Sequence, residues 1–171
     1  MALAEQRGAS NNMIRLLLQG SHTPKKGTKE RAIWEKTDPI RLLRKCMTNK
    51  MRSTHWRSAH KSKKEFMESF KANALVKGDP VKGPAVMVLG VCLAREADVD
   101  ATIKSILDAA QGIVLESGDD KDIHALFVTK SKATRDGMSP HVVMAVESIE
   151  TGGDACHAMI HEALLVVRKS A

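Results

Sequence analysis

With 171 residues, 43% of them hydrophobic, the chain holds enough apolar material for one ordinary domain with extensions. Its longest apolar runs, residues 86–94 and 164–167, fall short of the roughly 18 residues a membrane span needs. Glu5 precedes any continuous apolar stretch, which argues against a signal peptide, and three widely spaced cysteines suit reduced thiols, so a cytoplasmic protein is expected. Net charge is +7 but unevenly spread: residues 25–82 carry 17 Lys and Arg against 6 Asp and Glu, whereas residues 83–171 carry 8 against 13. A basic half suits a polyanionic partner, because each cation that neutralises a phosphate releases condensed counterions; a merely solvated lysine-rich face is the alternative.

Residues 1–12 are small, polar and aperiodic and read as a flexible arm. Residues 13–19 form a short apolar run bounded by Gly20, Ser21 and Pro24, which fits a first strand. Pro24-Lys25-Lys26-Gly27-Thr28-Lys29 has no apolar face and reads as a basic loop. Asp38-Pro39 starts a helix, with Asp38 accepting from the first amides and Pro39 at the first helical position; Ile40, Leu43, Met47 and Met51 make its apolar stripe. Residues 52–61 are polar and basic, a loop or a solvated helical turn. A second helix is predicted from Ser62, with Glu65 completing a capping box and Phe66, Phe70 and Ala74 on one face, until Gly78, Asp79, Pro80 and Gly83 end it.

Residues 85–93 are nearly all apolar, as suits a central strand covered on both faces. Helical spacing returns over 99–111, with Val99, Ile103, Ile106, Leu107 and Ala110 inward and Gly112 as the stop. Residues 121–130 and 141–148 read as two more strands joined by a turn-prone segment. Asp154 then caps a last helix whose inward side is Met159, Ile160, Ala163, Leu164 and Val167. The order β-α-β-α-β-β-α predicts an α+β fold, helices packed on a small mixed sheet. The expected organisation is an arm over 1–12, one domain over 13–148 and a helical extension over 149–171.

Chemistry concentrates where the buried strand meets the next helix. Asp98 and Asp100, at i and i+2 of a helix start, can converge on one ion, and Asp100, Lys104 and Asp108 make one polar stripe. Asp119 and Asp120 stand together before the next strand, an arrangement a divalent cation would compensate. Hard carboxylate oxygens in this number suit Mg²⁺, with Mn²⁺ the other candidate. A helix cap at Asp98 and a polar turn at Asp119-Asp120 is the plainer alternative.

Asp98-Val99-Asp100-Ala101-Thr102-Ile103-Lys104-Ser105-Ile106-Leu107-Asp108-Ala109, then Gly112-Ile113 and Asp119-Asp120-Lys121-Asp122-Ile123, resembles the D-x-D-N-x-x-K-x-x-x-D-A-L, G-[IV] and D-D-x-Q-[IV] elements of RusA-type Holliday junction resolvases. The likeness is close over residues 98–123 and looser over 13–147. Ala101 replaces the family's Asn, and Asp122 its Gln. The resemblance implies a cytoplasmic, bacterial or phage-encoded endodeoxyribonuclease that resolves four-way DNA junctions by paired symmetric nicks as a homodimer. It implies that Asp98, Asp100 and Asp120 are catalytic and hold Mg²⁺, with Asp119 beside them. Lys104 would neutralise charge on the phosphate and Asp108 would orient Lys104. Lys25, Lys26, Lys29 and Arg31, with Lys61, Lys63 and Lys64, would grip the DNA backbone. Two rival readings are a non-catalytic binder of branched nucleic acid and a metal nuclease acting on flaps or forks. Elsewhere, His157 and His161 share one helical side but lack the intervening Glu of a zinc protease helix, and no Gly-rich phosphate loop occurs.

Overall fold

The computed structural model describes residues 13–52, 56–94, 99–133 and 139–149. The expected N-terminal arm and, Ile149 aside, the expected C-terminal helix lie outside them. The fold is α+β, as the sequence predicts: helices on a five-stranded mixed sheet.

Strand β1 (Met13–Gln19) alternates, burying Ile14, Leu16 and Leu18. Helix α1 (Lys29–Thr37) begins at the last residue of the expected basic loop and occupies a stretch to which the sequence assigns no element. It buries none of its residues and is held locally instead. The Thr28 side chain caps it by accepting from the Arg31 amide at 3.1 Å, and Arg31 pairs with Glu35 one turn on at 2.8 Å. Asp38 separates it from α2 (Pro39–Arg52), whose Ile40, Leu42, Leu43, Cys46 and Met47 are buried.

Helix α3 (Trp56–Asn73) corrects the second expected start, because Ser62 lies a turn and a half inside it. Ser62, Phe66 and Phe70 are spaced by four, and all three are buried on one face, so the serine holds an inward position and caps nothing. Glu65 turns to Lys45 of α2, 2.7 Å away. Phe66 and Phe70 meet edge to face, ring centroids 5.8 Å apart, beneath the sheet.

Strand β2 (Leu75–Lys77), unforeseen in the sequence, adds an exposed edge along β1. Strand β3 (Ala85–Leu93) is buried on both faces, as expected. Helix α4 (Val99–Ala110) leads through a 3₁₀ turn (Asp120–Asp122) into β4 (Ile123–Lys132); β5 (His141–Ser148) closes the sheet. The spatial order is β2-β1-β5-β3-β4. Of the strand pairs among the described residues, β3 and β4 run parallel and the others antiparallel.

Residues 14, 16 and 18 of β1, 85 to 93 by twos of β3, and 142, 144 and 146 of β5 form one face, packed with α2, α3 and α4 in a single core. The registers fix two ends of the sheet. At one, Gln19 lies across from His141, which pairs with Cys92; at the other, Met13 meets Glu147 and Ala85 meets Ser148 and Ile123. They are called here the Gln19 end and the Ala85 end. Joining two parallel neighbours, α4 must run back from the first end to the second. Leu115 bridges Val81, just before β3, which confirms its arrival at the Ala85 end.

Candidate active site and nucleic-acid interface

Helix α4 presents two very different sides. Thr102, Ser105, Ile106, Ala109 and Ala110 are buried, while Ile103 and Leu107 are only partly so. The inward side is therefore rotated from the expected one and lined by small polar residues. Thr102 donates to Met47 Sδ at 3.4 Å, and the Ser105 hydroxyl donates to the Ala101 carbonyl at 2.8 Å and lies 3.9 Å from Cys46 Sγ. Short side chains let α4 sit closely on α2, and their hydroxyls are satisfied within that contact.

On the opposite edge Asp100, in the first turn, and Lys104, one turn later, are exposed together. Asp98 lies outside the described residues. Asp108 does not orient Lys104. Its Oδ2 is 2.7 Å from Lys63 Nζ of α3, so the third member of the expected stripe ties two helices together.

Asp119 and Asp120 are built differently. Gly118, at φ +67°, turns the chain, and Asp119 caps the 3₁₀ turn, accepting from the Lys121 amide at 3.0 Å and pairing with Lys121 Nζ at 3.2 Å. These contacts, the amide first, hold its carboxyl below the ordinary aspartate value. Asp120 follows it, exposed.

The two acidic groups occupy opposite ends of the sheet. Asp100 belongs to the start of α4, at the Gln19 end, whereas Asp120 lies three residues before the Ile123–Ala85 pairing. Nine residues of β3 span roughly 26 Å, and carboxylates that share Mg²⁺ each approach it to about 2.1 Å. Of the expected ligand set of Asp98, Asp100, Asp119 and Asp120, the three described members are thus divided within one chain, Asp100 at the start of α4 and Asp119 and Asp120 before β4. Among the described residues, no three His, Cys, Asp or Glu side chains are grouped to hold a metal.

The basic candidates also divide. Lys25, Lys26 and Lys29 are exposed on the segment leaving β1 at the Gln19 end, the end of Asp100 and Lys104. Two anchors fix that segment: the Gly20 amide donates to the Pro140 carbonyl at 2.8 Å, and Asp38 Oδ2 accepts from the Ser21 amide and hydroxyl at 2.7 and 3.0 Å. Arg31 is engaged at three points. It pairs with Glu35, donates to the Pro24 carbonyl at 3.5 Å and lies 4.4 Å from the Trp34 ring centre. It shapes the basic segment rather than reaching outward. Lys63 is committed to Asp108, Lys64 approaches Glu68 at 3.9 Å, and Lys61 is exposed.

Trp34 escaped the sequence reading. It borders an open cleft of about 440 Å³ with Gln19, Ser21, Asp38 and Asn73. Its Nε1 is, among the described residues, the one buried side-chain nitrogen or oxygen without a hydrogen-bond partner. The available signal was Arg31 three residues earlier, a spacing that stacks a guanidinium on an indole within a helix.

No described helix is long and apolar enough to cross a membrane. No family model, curated protein or solved structure matches the chain.

Proposed function

We propose that this protein is a Mg²⁺-dependent endodeoxyribonuclease that nicks four-way DNA junctions as a homodimer. One observation carries the reading: Asp100 and Lys104 stand exposed one turn apart at the sheet end that also bears Lys25, Lys26 and Lys29. A carboxylate that can ligate a cation, a cation for the phosphate and a backbone-gripping segment at one end of the sheet are the minimal parts of phosphodiester hydrolysis. The resemblance over residues 98–123 supplies the substrate class.

In this reading Asp98 and Asp100 hold the metal. Bound Mg²⁺ contributes an activated water for in-line attack and charge neutralisation at the leaving oxygen. Lys104 presents its ammonium to a non-bridging phosphate oxygen, where charge builds in the transition state. Lys25, Lys26 and Lys29 bind the flanking phosphates and set the strand's register on the protein. Asp119 and Asp120, at the far end of the sheet, can complete such a shell only from a second copy. A two-fold dimer would then carry two composite sites, one for each strand to be cut, as paired nicks across a junction require.

The experiment compares cleavage of a four-way junction, a flap, a fork and a linear duplex, with Mg²⁺ and with EDTA. Junction cleavage only with Mg²⁺, reduced about a hundredfold or more in Asp100→Asn, is expected, on the scale of removing one transition-state contact. Wild-type cleavage by Asp100→Asn refutes the site. Metal-independent junction binding without cutting establishes a non-catalytic binder, and preference for flaps or forks reassigns the substrate. Equal mixing of Asp100→Asn with Asp120→Asn tests the composite site. About a quarter of wild-type nicking should return, since half the dimers regain one of two sites; wild-type nicking by Asp120→Asn alone removes Asp120 from the shell, and no recovery on mixing rules out a site shared between copies.

A further inference from the structure

The sheet has a second face, and its burial is uneven. All of α2, α3 and α4 pack on the face of Met87, Leu89 and Val146. The alternate residues of β3 and β5 point the other way, where no described helix belongs to the core. Yet Ala145 is 1%, Val88 6% and Glu147 7% exposed there, and none of the three belongs to the main core. Farther out on the same face, Val143 and Phe127 remain 42% and 43% exposed, and Leu75 on β2 is 65% exposed. The registers explain the pattern. Ala145 pairs with Val88, whose other neighbour is Phe127, and Glu147 is one row closer to the Ala85 end. Cys92, 1% exposed on this face, is buried separately at the Gln19 end; the group Val88, Ala145 and Glu147 forms a covered patch at the centre of the sheet toward the Ala85 end, with Val143, Phe127 and Leu75 bare around it.

Neighbouring side chains on a flat sheet do not bury a glutamate this far. A carboxylate stands off the sheet, and its burial requires both a cover and a polar partner. Two segments outside the described residues leave the sheet at the Ala85 end: residues 1–12, before Met13, and residues 150–171, after Ile149. Only the second has the composition to cover an apolar face. Met159, Ile160, Ala163, Leu164 and Val167 recur at helical spacing, and the cations Arg168 and Lys169 and the imidazoles of His157 and His161 accompany them. Residues 1–12 have no such period.

We propose that residues 150–171 dock on this second face as an amphipathic helix, burying their apolar stripe against Val86, Val88 and Ala145 and offering Glu147 a basic or imidazole partner. A helix of about 17 residues from Asp154 is roughly 25 Å long, enough to cross β5, β3 and β4, which are spaced about 4.8 Å apart. The sheet is thereby closed on both sides by the same chain, and this part of the second face is not offered to a second copy. This inference does not depend on the proposed nuclease activity.

The test uses the full chain with Cys46, Cys92 and Cys156 replaced by Ala and a single thiol introduced by Glu147→Cys. The thiol should react with a small disulfide reagent at least about tenfold more slowly than an unstructured thiol. Adding Ile160→Asp and Leu164→Asp should restore most of that rate while far-UV circular dichroism keeps the sheet signal. As a control that leaves the apolar stripe almost intact, Glu147→Cys combined with Ile160→Cys should give a short bismaleimide cross-link at monomer mass. A thiol that reacts freely in the unaltered segment overturns the proposal. A cross-link found only at dimer mass overturns it equally, placing a second copy on the face. If the aspartate variant unfolds, the cross-link alone decides between these outcomes.

Discussion

Asp38 joins two structures that the proposed site needs, the basic segment after β1 and the start of α2. It is 6% exposed. Its Oδ1 accepts from the Arg41 amide at 2.8 Å, the cap of α2, while Oδ2 accepts from the Ser21 amide and hydroxyl at 2.7 and 3.0 Å. Asp38→Ala removes the cap, a loss of about 1 kcal/mol. It also strips the Ser21 donors of their acceptor, at about 1 kcal/mol each, with Ser21 itself exposed enough for water to recover part of this. The sum is about 2 to 3 kcal/mol. Asp38→Asn keeps an acceptor for one side only and turns an amide N–H toward a donor on the other, so it should cost about 1 to 2 kcal/mol. Ser21→Ala, which deletes only the hydroxyl bond, should cost about 1 kcal/mol or less. Urea denaturation with an unchanged slope measures all three. An Asp38→Ala cost no greater than that of Ser21→Ala would show that the carboxylate does not bind the two segments together.

Three further outcomes are expected. Gly78→Ala should destabilise by about 1 to 3 kcal/mol in the same assay, because φ there is +100° and a Cβ would stand 2.7 Å from the Met13 carbonyl oxygen; Gly27→Ala, at φ +87° with nothing within 4 Å, should cost about 1 kcal/mol. Lys104→Met should lower single-turnover cleavage by about a hundredfold or more while leaving junction affinity nearly unchanged, and an affinity loss of equal size would make Lys104 a plain phosphate contact. Carboxyl NMR should find Asp119 titrating below the ordinary aspartate value, since the Lys121 amide and ammonium favour its charged form. A depressed carboxyl contributes stability above its unfolded pKa and loses it as pH falls through the lowered folded value, so Asp119→Asn should remove a small acid-side dependence. Lys121→Ala should move the Asp119 midpoint upward, and a midpoint that stays put removes the ammonium as a cause.

The strands with uninterrupted apolar runs were legible in the sequence, and β3 and β5 begin and end where the pattern does. The start of α3 is hidden in the sequence because Ser62, a good capping residue, fills an inward position four residues before Phe66. Helix α1 and β2 left no periodic trace. The first buries nothing and relies on its cap and one ion pair, and the second is three exposed residues held by main-chain bonds to β1. At the site, the shared edge of Asp100 and Lys104 follows from the helical period alone. The distance to Asp120 does not, because whether β3 and β4 run parallel or form a hairpin decides which end of the sheet each acid occupies. That choice is made by long-range pairing between β3, β4 and β5, and no local spacing encodes it. The commitment of Lys63 to Asp108 was equally hidden, for it depends on how α3 packs against α4.

Among the described residues β4 ends the sheet on one side, so there one row of its ten residues' main-chain groups faces outward along most of the strand. Such a margin is a template on which a foreign or partly unfolded chain can lengthen the sheet. Lys130 and Lys132, exposed near its end, put positive charge beside that template and discourage an incoming strand by repulsion and hydration. Self-association through this margin should therefore rise with ionic strength, the opposite of the trend for phosphate binding, which gives a salt titration two separable signatures in one protein.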